Sequence, residues 1–529
     1  MSDRPFSSFQ ASTPPSAAAG ATASAQAPVA ARGGHPAARA GTVAGASDPA
    51  AAARADDPCP ANPVAARAAG RDDDRVAAAA IAAAGDIILR PGLRSHATLA
   101  LCAVLHAFTH AYATLLVPLY LLVRDDLGLP GVGRASAIVT VYGLVYCFLS
   151  YPAGLLADRF SRSLLLGVGL LGNALAVAAM GLTRRYELLM LWSVLGGAFG
   201  AIFHPAANAL VPAHYPRSPG MAIGLLGIGS GIGFFAGPQF AGWRAQAANW
   251  HFSSVVNWQR PLVEAGLAGF VVGVIFLLIA REAPRPATAR GPAARQPLRP
   301  SPASRASRAE PAGALGPALR GAVVRVALVL GLRDFAGIAT LSLASIYLQR
   351  AHGLDAARTG LIVGSMMLIG VVVSPLAVYL SGGARRLPVL AGLLLAGGAV
   401  VATTPLWPAR SVLWVLMTFM AFQLGSYAVS DAAMLERVPG AVRGRVVGLF
   451  LTVAGALASA SPWVMGWWTD LLGERAERPS AYLPLFGTIG ATMAAAAACG
   501  PLLHRLGPVQ GPLIEPISET APRTAEPLL

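Results

Sequence analysis

Along the chain, long apolar runs alternate with short polar turns. Many runs are about 20 residues long, enough for a helix to cross a hydrocarbon core of about 30 Å. The pattern predicts about twelve membrane helices. The first six cover approximately 97–123, 134–157, 163–182, 187–211, 219–243 and 262–280. The second six cover approximately 322–348, 358–380, 387–406, 410–434, 445–468 and 481–504. Residues 1–92 are rich in Ala, Pro, Gly and Arg and read as a disordered tail. Residues 281–320 carry eight Arg against Glu282 and Glu310, so a flexible cytoplasmic linker is expected there. Two six-helix bundles then occupy 93–280 and 321–505, followed by a C-terminal tail at 506–529. An even helix count puts both termini in the cytoplasm. The expected fold class is an all-α membrane protein of two pseudo-symmetric bundles.

The halves repeat. Shifted by 224 positions, Gly220, Gly224, Leu225, Gly231, Ala236, Pro238, Gly242 and Trp243 fall on Gly444, Gly448, Leu449, Gly455, Ala460, Pro462, Gly466 and Trp467. That is eight identities in a 24-residue window, where this composition gives roughly two by chance. Pro152 and Pro375 match at nearly the same shift. Repeated bundles joined by a polar linker point to transport, with a binding site between the halves.

Composition agrees: 55% of the 529 residues are hydrophobic and 12% charged, against about 25% charged in soluble domains. The net charge of +15 comes from Arg alone, since the chain has no Lys. These Arg concentrate in tails and loops, which reads as membrane topology and lipid contact rather than nucleic-acid binding. A P-loop needs Lys, so direct ATP hydrolysis is not expected. No compact secretory signal peptide stands out. Cys59, Cys102, Cys147 and Cys499 form no C-x-x-C pair, so neither a disulfide framework nor a metal site is expected, and no cofactor.

The stretch GLLADRFSR, 154–162, sets charge between the second and third helices. Its Gly154, Asp158, Arg159 and Arg162 resemble the signature loop of the major facilitator superfamily. The resemblance implies a latch that joins the halves on the cytoplasmic side and releases during the transport cycle, with Gly154 permitting close helix approach and Asp158 pairing with a helix N-terminus or an Arg. In the second half the equivalent loop is SGGARR, 381–386, with Ser381 where Asp158 would fall. Gly224, Gly233, Gly237 and Pro238 of the fifth helix resemble the motif of proton-coupled drug exporters in that superfamily, with Pro238 expected to bend the helix. The stretch 187–203 lacks the basic residue usual in such exporters. HAFTHAY (106–112) and GGAFGAIFHPAANAL (196–210) resemble the fosmidomycin resistance protein group, which tends to carry Asp at the position of His110. That group implies export of small, often anionic antibiotics or sugars.

Ionisable residues at membrane depth are costly and are functional candidates. His106 and His110, four apart, share one helix face. Asp334 is the repeat partner of His110, and the two are expected to face each other across a cavity. One of them would bind a proton while Arg333 neutralises or binds an anionic group. Adjacent helix positions point about 100° apart, so an Arg333–Asp334 pair is expected to be poor. His204 precedes Pro205, and its ring is expected either to cap carbonyls freed by that Pro or to join the site. Asp431 is an inner-gate candidate as acceptor for Arg443 or Arg445. Asn173, Gln239 and Gln423 read as helix-packing hydrogen bonders. Tyr112, Tyr142, Tyr146 and Tyr427 are cavity or packing aromatics. Trp243, Trp250 and Trp258 read as membrane-interface anchors.

The expected function is a secondary transporter of the bacterial inner membrane, an antiporter exporting a small organic solute or drug against protons. It is expected to be a monomer among membrane lipids, and not an enzyme. An importer or facilitator on the same fold is the alternative. A non-transporting sensor is the alternative from another class. His106 and His110 alone are too few for a catalytic centre.

Overall fold

The computed structural model describes residues 92–216, 218–246, 257–282, 315–438 and 442–508. The tail at 1–91, most of the linker, Cys59, Trp250 and the segment after 508 lie outside the described residues. Every regular element among the described residues is a helix. This follows from the solvent: in lipid each backbone N–H and C=O needs a partner within the segment.

Among the described residues, eleven passes are long and apolar enough to span a membrane: Leu93–Asp126, Val132–Arg159, Arg162–Gly181, Tyr186–His214, Pro219–Gln246, Gln259–Ile279, Pro317–Arg350, Gly383–Leu406, Ala409–Leu435, Arg445–Leu471 and Pro479–His504. The remaining pass, eighth in chain order, is two helices, Ala356–Ser365 and Gly370–Leu380. Between them the chain tightens, with Met367 N–H on the Gly364 carbonyl and Leu368 N–H on that of Ser365, both at 3.1 Å. These three-residue bonds keep the backbone satisfied through the break. The all-helical two-bundle expectation is met, with the eighth pass broken.

Small residues set the helix spacing. Gly229, Gly233 and Gly237 of the fifth pass sit on Ala103, Ala107 and Ala111 of the first. A Cβ at Gly237 would lie 2.7 Å from the Ala111 carbonyl oxygen, one at Gly229 2.9 Å from the Ala103 carbonyl carbon, and one at Gly233 3.0 Å from that of Ala107. Two four-residue ladders thus mesh by direct backbone contact. Gly224 meets nothing within 4 Å, so the packing role expected of it falls to Gly229. The helix continues through Pro238, whereas at its repeat partner Pro462 the eleventh pass divides into Arg443–Ser459 and Ser461–Leu471.

The halves meet on one side. The face that carries the chain ends at 282 and 315 is here the linker face. Toward the opposite face, Asp470 of the eleventh pass accepts hydrogen bonds from the N–H groups of Val132 and Gly133, both at 2.8 Å. Trp463 N–H donates to Thr140 at 3.0 Å, and Ser345 to the Val117 carbonyl at 2.7 Å. Gly242 sits against Ala356 and Gly360 against Pro238. At the linker face no hydrogen bond or ion pair joins described residues of the two halves, and Asp158 and Arg159 are exposed. The polar bonds between the halves toward their ends thus lie at the opposite face.

Candidate substrate and coupling site

Two polar clusters lie inside the bundle, one in each half. The first is built by the first and fourth passes. The fourth pass is broken at Ala201–Ile202, between Tyr186–Gly200 and Phe203–His214. Pro205 has no N–H to offer the carbonyl one turn back, which favours the break. The restart turns Phe203 and His204 toward the first pass. His106, His110 and His204 then pack together, with ring centroids 4.8, 5.1 and 5.4 Å apart. His106 Nδ1 lies 2.8 Å from the Leu226 carbonyl, so it carries the proton and donates. His106 Nε2 and His110 Nε2 face each other at 3.1 Å. His204 Nδ1 pairs with the Tyr146 hydroxyl. Phe203 stacks on His106 and Phe234 lies on His110. The expectation that the His204 ring caps carbonyls freed by Pro205 is thereby corrected: the ring turns to Tyr146 and the other imidazoles.

The second cluster is built by the seventh and tenth passes. Arg333 is fully buried at 0% exposure. Its Nε donates to Asp334 Oδ1 at 2.7 Å, and its Nη1 donates to Ser430 Oγ at 2.6 Å and to the Ser426 carbonyl at 3.3 Å. The guanidinium lies 3.6 Å from the Tyr427 ring centroid, a cation–π contact. Gln423 donates to the Arg333 carbonyl at 3.1 Å. Asp431, on the same stripe of the tenth pass, has an exposed side chain and no ion pair with Arg333. Two sequence expectations are corrected here. Adjacent Arg333 and Asp334 do pair, because the long Arg side chain curls back over the turn its own Cα occupies. Asp431 does not pair with Arg443, which donates instead to the Val438 carbonyl, nor with Arg445. His110 and Asp334 form no hydrogen bond or ion pair with each other; each is engaged within its own half.

Sequence reasoning missed Ser426 and Ser430. A signal was there: Gln423, Ser426, Tyr427, Ser430 and Asp431 are spaced three and four apart, one polar stripe on an apolar helix.

At the linker face, Gly154 makes no tight approach: a Cβ there would lie 3.8 Å from Pro205. Arg162 donates to the Ala209 carbonyl at 3.1 Å. Its repeat partner Arg386 pairs with Glu436 at 3.0 Å, so both loop arginines dock within their own half. Ser381 is buried and donates to the Val378 carbonyl. Just outside the membrane span, Glu282 accepts from Ser161 Oγ at 2.7 Å and from Ser163 N–H at 3.0 Å. Burial alone would raise its carboxyl pKa, but the Ser163 and Ser161 hydrogen bonds outweigh it and hold the group below the ordinary value. Among the polar and aromatic candidates, Tyr112 donates to the Ala265 carbonyl and Tyr142 bonds Asn173, so both serve packing. Trp243 is exposed. Trp258 is buried and donates to Asp126 at 2.9 Å, so it is no interface anchor.

Long apolar helical passes with polar clusters inside the bundle define a multi-pass membrane protein. The chain belongs to the Major Facilitator Superfamily, whose family model it matches over residues 99–462. It is 34% identical over 147 residues to the tetracenomycin C resistance and export protein of Streptomyces glaucescens, covering 27% of this chain and 26% of that one. It is 33% identical over 149 residues to the puromycin resistance protein of Streptomyces alboniger, covering 28% and 29%. Against the quinolone resistance protein NorA of Staphylococcus aureus it is 23% identical over 181 residues, covering 34% and 43%. The matches thus span less than half the length of these relatives. A bacterial homolog to the human lysosomal transporter Spinster, solved in an inward-facing and unoccupied conformation, has the same fold, with TM-score 0.60 and 16% identity over 78% of this chain and 96% of that one.

Proposed function

We propose that the protein is a secondary transporter of the bacterial inner membrane that exports a small organic solute in exchange for protons. The observation that carries this reading is the charge group of the second cluster. Asp334 pairs with the buried guanidinium of Arg333 at 2.7 Å, and Asp431 lies on the same stripe of the tenth pass with no ion pair of its own among the described residues. Asp334 is buried against Arg333, while Asp431 is exposed. A carboxylate without its own partner inside a membrane protein is a natural proton acceptor. Protonation of these acids loosens the hold of Asp334 on Arg333 and leaves the guanidinium for an anionic group of the solute. Export of an antibiotic-like solute is supported by the resistance and export relatives. The pattern of His106, His110, Phe203, His204 and Pro205 further supports the tie to the fosmidomycin resistance group. The Arg-rich linker face is cytoplasmic by the positive-inside rule, which puts both termini there. Asp158 and Arg159 serve as the latch that closes this face when the halves rock.

The test is transport by the purified full chain in liposomes. A panel of labelled anionic antibiotics and sugars, fosmidomycin included, is followed by counterflow and under an imposed pH gradient. Gradient-driven movement of one member, lost in Asp431→Asn, is the expected result. Exchange indifferent to the gradient identifies a facilitator and removes the proton role. Failure to move any of the panel counts against export of this solute class.

A further inference from the structure

We propose that His106, His110 and His204 form a binding site for a divalent transition cation of the zinc class. The cysteines argued against metal ligation, and two histidines on one helix are too few for it. The fold supplies the third ligand from the fourth pass, about a hundred residues away in sequence. Each of the three residues offers one ring nitrogen, and those atoms lie within 4.8 Å of one another. Three imidazoles on a tetrahedral zinc ion, with Zn–N of about 2.1 Å, hold their nitrogens about 3.4 Å apart. The His106 and His110 Nε2 atoms, 3.1 Å apart, already have that separation. His204 needs to move by roughly an ångström, within the freedom of a side chain at the edge of a helix break.

The rings are also oriented from behind. His106 donates its Nδ1 proton to the Leu226 carbonyl, which leaves the Nε2 lone pair aimed at the cluster centre. His204 meets the Tyr146 hydroxyl through Nδ1, which leaves its own Nε2 free. Metal-bound imidazoles are held by such second partners on the far nitrogen, a carbonyl among the commonest. Without a metal, one of the two facing Nε2 atoms, 3.1 Å apart, carries the proton and donates to the other; a cation that takes the place of that proton is ligated by both. A shared proton satisfies two rings, whereas a cation satisfies all three. His110 and His204 are half-buried rather than sealed, so solvent can supply a fourth ligand. Nitrogen-only ligands favour zinc, cobalt, nickel or copper over magnesium or calcium, which take oxygen.

The test uses the full chain in detergent with Co²⁺ as the spectroscopic probe and Zn²⁺ as competitor. The expected result is one equivalent of Co²⁺ with the visible absorption of a tetrahedral site, displaced by one equivalent of Zn²⁺. His110→Gln and His204→Gln should each weaken binding at least tenfold, and Tyr146→Phe by about tenfold through the lost outer partner. His504→Gln, an exposed histidine far along the chain, should leave binding unchanged. If the histidine variants fail to fold, X-ray absorption on the unmodified protein decides: three nitrogen neighbours at about 2.0 Å are expected. An oxygen-only shell, no stoichiometric binding, or binding that persists when all three histidines are replaced overturns the proposal. The cluster is then a proton-sharing or purely structural contact.

Discussion

In the first half, three imidazoles meet with no formal charge required of any of them. In the repeat-related region of the second half, Arg333 and Asp334 are buried as a formal ion pair. His110 and Asp334 are partners at the 224-position repeat, yet the chemistry differs. A neutral imidazole is tolerated among apolar helices once its nitrogens are matched, and it stays available to a proton or a cation. A buried guanidinium is tolerated only when it is paired and hydrogen-bonded. Arg333 has Asp334, Ser430, the Ser426 carbonyl and the Tyr427 face. A repeat can thus keep its helix geometry while its two polar sites divide the labour between an adaptable group and a fixed charge.

The comparison breaks most sharply at Arg333. Arg333→Ala leaves Asp334 buried without its partner and should cost about 3–5 kcal/mol, seen as loss of monodisperse protein or a large fall in melting temperature. A stable Arg333→Ala protein would mean that the pair is not the fixed element assumed here. His106→Ala, at the matching depth of the first half, should cost less. It removes the hydrogen bonds to the Leu226 carbonyl and to His110 and the Phe203 stacking, about 1–3 kcal/mol together. Equal losses at the two sites would erase the contrast.

Asp470→Asn tests how the two sites are kept shut from the opposite face. It weakens two charge-assisted bonds to Val132 and Gly133, about 1–2 kcal/mol in all. Cys147, half-buried and 3.7 Å from Ser459 of the other half, should then react faster with an impermeant thiol reagent added from that face, measured in a Cys59→Ser background. Unchanged labelling would show that helix packing alone closes the bundle. Asp158→Asn should leave thermal stability within about 0.5 kcal/mol, since the side chain is exposed, yet slow transport cycling more than substrate binding. Equal loss of both would argue against a latch.

The smallest effect is expected at Glu282. Its folded pKa is lowered, so its contribution is full above the ordinary glutamate range and is lost as pH falls through the folded value. Glu282→Gln should therefore lower stability by under about 1 kcal/mol near neutral pH and flatten the acid limb of the stability–pH profile. A profile unaltered by the substitution would mean that the serine contacts are not maintained in solution.

The apolar runs, the repeat at 224 positions and the Arg-rich breaks were enough to establish the helical bundles and their order, because lipid leaves a chain few alternatives to helix. The inner face of a helix was less legible, since membrane helices are apolar on all sides and the hydrophobic pattern does not say which side is buried. Only the polar exceptions mark it, and the stripe from Gln423 to Asp431 shows that they do so where enough of them recur. Which polar groups meet was decided by tertiary structure alone. His204 joins His106 and His110 because the fourth pass breaks before Pro205 and packs beside the first. Arg333 reaches its neighbour because a long side chain can turn back where a Cα–Cβ direction suggests it cannot. Trp258 is buried by Asp126 rather than lying at an interface. Those outcomes depend on distances between passes far apart in sequence, which the run of residues within any one pass does not contain.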